Sequence, residues 1–82
     1  MNTNEAAENL KTKGNTEFQS GNYLAALRYY TQALGIVQII VLYFLEIHQT
    51  DALYTNRAAA NIQLKDYTNA LEDCKTALSL NP

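Results

Sequence analysis

The chain has few of the residues that hold small secreted proteins together or bind metals. Its 82 residues include one cysteine, one proline and no tryptophan. A lone cysteine excludes an internal disulfide and a cysteine-rich zinc site, so packing must hold the fold, as is typical of proteins from reducing compartments. The first residues lack the basic and apolar segments of a signal peptide. We therefore expect a cytoplasmic location.

The charge balance also excludes several classes of protein. Six Lys and Arg residues stand against eight Asp and Glu residues, for a net charge of −2. A nucleic-acid surface would need a basic excess, so we expect no nucleic-acid partner. Hydrophobic residues make up 48% of the chain and charged residues 17%, which excludes a disordered acidic tail. The length allows one small domain.

The longest uncharged run covers 29–45, and its apolar part, 36–45, is interrupted only by Gln38. A membrane-spanning helix needs about 20 predominantly apolar residues, whereas a shorter stretch is more often buried in protein. We therefore expect no membrane insertion.

Seven positions in the first half of the chain recur 44 residues later, five of them with the identical residue. The first set is Gly14, Tyr23, Ala26, Leu27, Tyr30, Ala33 and Leu34, and the second is Ala58, Tyr67, Ala70, Leu71, Cys74, Ala77 and Leu78. A repeat at a fixed offset indicates stacked units that cannot bury their apolar faces alone.

Each unit is predicted to contain two helices. The first helix, over 5–20, follows from apolar or small residues at four-residue steps: Ala6, Leu10, Gly14 and Phe18. Gly21 and Asn22 end this helix, and a second one begins near Tyr23. In the second unit we expect a helix over 51–64, a turn at Lys65 and Asp66, and a last helix from Tyr67 or Thr68 to about residue 80. The fold class is therefore all-α, with four helices.

The two units resemble the tetratricopeptide repeat (TPR), a helix–turn–helix unit with small residues at its eighth and twentieth positions and a proline at its end. The second unit, 54–82, is similar to that pattern as far as Pro82, and the first over 7–34. The resemblance implies one TPR-like domain over 1–82. Its parts are repeat one at about 7–34, an apolar extension and connector at 35–50, and repeat two at about 51–82.

The segments 10–15 (LKTKGN) and 53–60 (LYTNRAAA) are similar to the carboxylate-clamp subgroup of TPR domains. These are cochaperones that hold the C-terminal Glu-Glu-Val-Asp tail of seventy- and ninety-kilodalton heat-shock chaperones, so the resemblance implies such a partner. By motif position the clamp residues fall on Lys11, Asn15 and Asn56. Two further basic residues of the family's clamp lie on a fifth helix, which these 82 residues do not include, so the resemblance implies a partial clamp.

The residue types suit that role. Lys11 and Asn15 are one turn apart, so both project from the same helix face, and ammonium and amide groups are donors that a carboxylate accepts. Asn56 would be an unfavourable choice within a helix unless it had a function. The alternative is that Lys11 is a solvated lysine and both asparagines are ordinary polar positions.

The 44-residue offset exceeds the usual repeat length of about 34. The extra residues are largely apolar and could lengthen the second helix by about 2.8 turns. A strand is the alternative, because the segment is rich in Ile and Val, but we expect the extended helix. An extension that is apolar on every side must be buried against something. The structural alternative to peptide binding is therefore self-association, as a dimer or higher oligomer, through this segment and the uncovered face of the last helix. The candidates are Ile36, Ile39, Ile40, Tyr43, Phe44 and Ile47.

No arrangement of residues indicates catalysis, so we expect no enzyme, metal or cofactor. His48 and Cys74 are each alone, with no third group to orient a Cys–His pair. Cys74 takes the place of Tyr30 in the repeat and is expected to be a small buried residue. His48 is expected at the surface of the connector, and Glu72 and Asp73 on a solvated face.

Overall fold

The computed structural model describes residues 3–44 and 50–82, with side chains over 5–37 and 50–82. These two segments form four helices and no strand, which confirms the all-α prediction. The helices are α1 (Thr3–Gln19), α2 (Tyr23–Phe44), α3 (Thr50–Gln63) and α4 (Tyr67–Leu80). α1 begins two residues before the predicted start, and the other predicted starts agree to within one residue.

The two units turn in the same way. At the end of α1, the Gly21 N–H donates to the Phe18 carbonyl at 3.0 Å and the Asn22 N–H to the Glu17 carbonyl at 2.8 Å, with Gly21 at φ +81°. This pair of bonds is the Schellman motif, whose left-handed residue is usually glycine. The motif closes α1 and reverses the chain into α2.

The turn between α3 and α4 repeats this geometry with a different residue. The Lys65 N–H donates to Ile62 at 3.0 Å and the Asp66 N–H to Asn61 at 2.8 Å, and Lys65 takes the left-handed position at φ 64°. A side chain at this backbone conformation is strained, because its Cβ crowds the following carbonyl. Asp66 then caps α4 by accepting the N–H of Asn69 at 3.3 Å.

A small, alanine-rich core holds the helices together. α1 packs on α2, α3 packs on α2, and α4 packs on α3. The buried cluster consists of Ala7, Ala26, Tyr30, Ala33, Leu34, Val37, Leu53 and Ala60. Small side chains let the helix axes approach closely. Tyr30 is the largest fully buried side chain, and it lies between α1, α2 and α3.

α2 continues as a helix through Phe44 and is 22 residues long, which confirms the extended helix over the alternative of a strand. Of its apolar extension, Val37 is buried, and Ile36 is half-buried against the core. The side chains of the other self-association candidates, Ile39, Ile40, Tyr43, Phe44 and Ile47, lie outside the described residues, as does His48. None of the described helices is both long and apolar enough to cross a membrane.

Two predictions for α4 are wrong. Cys74 is exposed, because no element in the described part of the chain packs over it as α3 packs beside Tyr30. Asp73 is buried, at 5% exposure, because its position between Ala70 and Ala77 places it on the side of α4 that faces α3. On the face of the last helix that is expected to be uncovered, Leu71 is 57% and Leu78 65% exposed, but Ala70 and Ala77 are buried.

Candidate functional site

The two predicted clamp asparagines meet between α1 and α3. Asn15 and Asn56 are 41 residues apart in the chain, and the Asn56 Nδ2 donates a hydrogen bond to the Asn15 Oδ1 at 3.2 Å. Both side chains are half-buried. The structure therefore brings together two polar groups that the sequence placed on separate helices.

Tyr30 is a third member of this group, although the sequence did not indicate it as a site residue. The Tyr30 hydroxyl donates to the same Asn15 Oδ1 at 2.6 Å, and only 1% of Tyr30 is exposed. Burial raises the pKa of the Tyr30 phenol above its ordinary value, because the charged phenolate would lose its hydration. The phenol is therefore a neutral hydrogen-bond donor at physiological pH.

Gly14 explains how the Tyr30 ring comes to lie against α1. A Cβ at position 14 would lie 2.5 Å from Cε1 and 2.7 Å from Cδ1 of Tyr30, closer than real contacts allow. Glycine removes this obstacle, so the ring packs directly on the α1 backbone and its hydroxyl reaches Asn15 in the next position. The sequence showed Gly14 only as a small repeat position.

Asn15, Tyr30 and Asn56 line an open cleft of about 160 Å³. Its lining consists of Asn15, Phe18, Gln19, Tyr30, Asn56 and Ala59. Lys11 is half-exposed on α1, one turn before Asn15, and does not line the cleft itself. The arrangement thus offers amide groups within the cleft and an ammonium group on the same helix face, all of which can donate hydrogen bonds to an anion.

A bidentate ion pair fixes α3 to α4. The Arg57 Nε donates to Asp73 Oδ2 and the Arg57 Nη2 to Asp73 Oδ1, both at 2.8 Å, while Nη1 reaches the Thr31 hydroxyl of α2 at 3.4 Å. The hydrogen bonds that the Arg57 guanidinium donates to Asp73 are the largest cause that raises its pKa. The guanidinium also lies 5.6 Å from the centre of the Tyr54 ring.

This ion pair borders a second open cleft, of about 360 Å³, which shares no lining residue with the first. Its lining consists of Leu27, Thr31, Arg57, Asn61, Asp66, Asn69, Glu72 and Asp73. Arg57 follows Asn56 directly, so the pair with Asp73 also fixes the rotation of α3 that points Asn56 at Asn15. One sequence signal could have revealed this ion pair. Asp73 lies three residues after Ala70 and four residues before Ala77, so it shares a helix face with two alanines that are buried.

Metal binding is not supported by the described segments, in which no group of three or more His, Cys, Asp or Glu side chains could hold an ion. The polar side chains that line the cleft between α1 and α3 are three amides and one phenol.

Comparison with known proteins agrees with this architecture. Residues 52–82 match the family model of the tetratricopeptide repeat. The chain is 40% identical over 79 residues to sperm-associated antigen 1 of Rattus norvegicus, covering 96% of this chain and 8% of the relative. It is 37% identical over 76 residues to the heat shock protein sti1 homolog of Schizosaccharomyces pombe, covering 93% of this chain and 11% of the relative.

A third relative carries a functional name. The chain is 33% identical over 81 residues to the Hsp70/Hsp90 co-chaperone CNS1 of Saccharomyces cerevisiae, covering 95% of this chain and 19% of the relative. The chain thus spans less than a fifth of the length of these three relatives. No solved structure matches it significantly. The four helices, the family match and these relatives together show that the chain is a tetratricopeptide-repeat domain, similar to part of a protein that is named as an Hsp70/Hsp90 co-chaperone.

Proposed function

We propose that this domain is a non-catalytic, cytoplasmic peptide-binding module that holds the acidic C-terminal tail of a heat-shock chaperone in the cleft between α1 and α3. The observation that carries the proposal is the 3.2 Å contact between Asn15 and Asn56, the two asparagines that the clamp resemblance selects. The name of the relative CNS1, an Hsp70/Hsp90 co-chaperone, supports the same class of partner.

The chemistry of the three proposed clamp residues fits a terminal carboxylate. A carboxylate accepts hydrogen bonds at two oxygens, and bonds from a charged donor are about twice as strong as neutral ones. In this proposal Lys11 supplies the charge, while Asn15 and Asn56 supply neutral donors from two helices. Because the helices are fixed by the core and by the Arg57–Asp73 pair, these donors are ordered before the peptide arrives.

Two lysines of α1 provide a matched test. Lys11→Ala and Lys13→Ala remove the same charge from the same helix, but two residues turn a side chain about 200° around the helix axis, so Lys13 projects away from the proposed clamp. With a Glu-Glu-Val-Asp peptide as the probe, we expect Lys11→Ala to lower affinity about tenfold and Lys13→Ala less than twofold. Isothermal titration calorimetry measures both. Equal losses would show that the lysines act only through net charge and would overturn the clamp.

One observation favours self-association as a second function. Leu71 and Leu78 are more than half exposed and lie seven residues apart, so they share one face of α4, with Cys74 between them. A contiguous apolar surface of this kind is typical of an interface. We propose that it pairs with another copy of the chain, together with the apolar extension of α2.

Sedimentation velocity over a hundredfold range of concentration tests this second function. Leu71→Gln with Leu78→Gln should shift the chain towards monomer. Leu24→Gln, at an exposed leucine of α2, should leave the distribution unchanged. A wild-type chain that stays monomeric at high micromolar concentration would exclude the second function and leave the first intact.

A further inference from the structure

We propose that Tyr30 is a positioning residue of the peptide site: its hydroxyl holds the Asn15 amide with the oxygen inward and the nitrogen towards the cleft. This inference rests on the proposed function, because it assigns a role to Tyr30 in binding the same carboxylate. Tyr30 acts only through Asn15, since its own hydroxyl is already engaged by the amide oxygen at 2.6 Å.

The orientation of the amide follows from the two bonds that its oxygen accepts. The Asn15 Oδ1 receives the Tyr30 hydroxyl at 2.6 Å and the Asn56 Nδ2 at 3.2 Å. An amide oxygen has two lone pairs, so both are used inside the protein. The two N–H donors of Asn15 Nδ2 stay available for a ligand. A carboxylate needs donors and is repelled by a carbonyl oxygen, so this is the orientation that favours it.

The Asn56 contact alone would not select that orientation. If both amides were rotated by half a turn, Asn15 could donate to Asn56 and the contact would survive with the roles reversed. The phenol removes this ambiguity. In the rotated arrangement the Tyr30 hydroxyl would face an N–H₂ group, and its own proton would lose the acceptor it has in the structure. Leaving a buried donor without a partner is costly, and we expect it to favour the inward oxygen by at least about tenfold.

Two further features keep the phenol in this role. The Tyr30 ring cannot withdraw easily, because it is 99% buried and packs on the α1 backbone at Gly14. Burial also raises the pKa of the hydroxyl, so it keeps its proton and remains a donor throughout the physiological range. The phenol is therefore a fixed hydrogen-bond donor to the Asn15 amide that it orients.

Tyr30→Phe tests the inference because it removes the hydroxyl and keeps the ring in the core. We expect its affinity for the free-acid Glu-Glu-Val-Asp peptide to fall about fivefold, with a melting temperature close to that of the wild type. Tyr67→Phe, at a tyrosine that is 62% exposed on α4, is the matched control and should bind as the wild type does. An unchanged affinity in Tyr30→Phe would overturn the positioning role.

A double-mutant cycle separates positioning from a general effect on the fold. In an Asn15→Ala background, Tyr30→Phe should cause no further loss, because the amide that it orients is absent. The same fivefold loss in both backgrounds would show that Tyr30 acts by another route and would overturn the inference.

A spectroscopic measurement without peptide keeps this inference distinct from the proposed function. The side-chain ¹H–¹⁵N signals of Asn15 should shift clearly in Tyr30→Phe and stay in place in Tyr67→Phe. If the wild type binds no peptide but these signals shift, the proposed function fails and the orienting contact stands. If the signals do not move in Tyr30→Phe, the orienting contact itself is wrong.

Discussion

Arg57 of α3 and Asp73 of α4 form two parallel hydrogen bonds of 2.8 Å, in a pair whose side chains are 23% and 7% exposed. This planar, bidentate arrangement restricts both the separation and the rotation of the two helices. Because Arg57 is next to Asn56 in the chain, the pair connects the packing of the second unit to the geometry of the cleft between α1 and α3. It is the principal polar contact between α3 and α4 in the described structure.

Asp73→Asn should lower the free energy of unfolding by about 2 kcal/mol. The substitution keeps the shape but leaves the guanidinium of Arg57 partly buried without its counter-charge, which costs less than the 3–5 kcal/mol of a fully buried pair and more than the loss of a surface pair. Urea denaturation measures the change.

Glu72→Gln is the control for Asp73→Asn, because it removes the same charge from the adjacent, exposed position. A change of less than about 0.5 kcal/mol is expected there. Similar effects of the two substitutions would mean that the ion pair contributes nothing specific.

Alanine substitutions at two helical glycines should change stability in opposite directions. Both positions lie inside helices, where Ala is favoured over Gly by up to about 1 kcal/mol. At Gly35 no atom of the described residues lies within 4 Å of the added Cβ, so Gly35→Ala should stabilise. At Gly14 the Cβ would meet the buried Tyr30 ring at 2.5 Å, so Gly14→Ala should destabilise by about 1–3 kcal/mol. Thermal unfolding of the two variants provides the comparison, and stabilisation by both would contradict the packing described.

Lys65→Gly should stabilise the chain by about 1 kcal/mol. Lys65 has φ 64°, a left-handed conformation in which a side chain costs about that amount and glycine costs nothing. The equivalent turn of the first unit already has Gly21 at this position, so Gly21→Ala should destabilise by a similar amount. Chemical denaturation of both variants tests this relationship, which would be refuted if Lys65→Gly lowered the midpoint.

The buried phenol predicts a loss of stability in alkali. Folding raises the pKa of Tyr30 above its unfolded value of about 10. Its contribution to stability is therefore fully present below that value and is lost as the pH rises through the raised folded-state pKa. Tyr30→Phe should flatten the decline of the unfolding free energy above about pH 10. Identical alkaline profiles for wild type and Tyr30→Phe would refute the assignment.

The helices and turns could be predicted from the sequence because their signals are local. Four-residue spacing of small and apolar residues gives α1, and the residues at Gly21 and Lys65 occupy equivalent turn positions 44 residues apart. The resemblance also selected Asn15 and Asn56, which the structure brings into contact. Whether these residues bind a peptide stays a prediction.

The features that the sequence did not predict depend on how the helices pack against one another. Cys74 and Tyr30 are equivalent in the repeat, but Tyr30 is enclosed between α1 and α3, whereas no helix in the described part of the chain packs over the outer side of α4, so the repeat alone misplaced Cys74. Asp73 was assigned to solvent because it is charged, although Arg57 on a different helix neutralises it. The contact between Tyr30 and Asn15 requires the close approach at Gly14, which only the packing of α1 on α2 reveals.

Calorimetric titration of the chain with a Glu-Glu-Val-Asp peptide, as the free acid and as the C-terminal amide, tests whether the domain binds a terminal carboxylate. We expect the free acid to bind with a dissociation constant of about 100 µM, which corresponds to a binding free energy of about 5.5 kcal/mol, and the amide to bind at least tenfold more weakly. Raising the salt concentration should weaken the binding of the free acid, because Lys11 contributes through its charge. Equal binding of the two peptides, or binding of neither, would contradict the proposal that Lys11, Asn15 and Asn56 hold a terminal carboxylate.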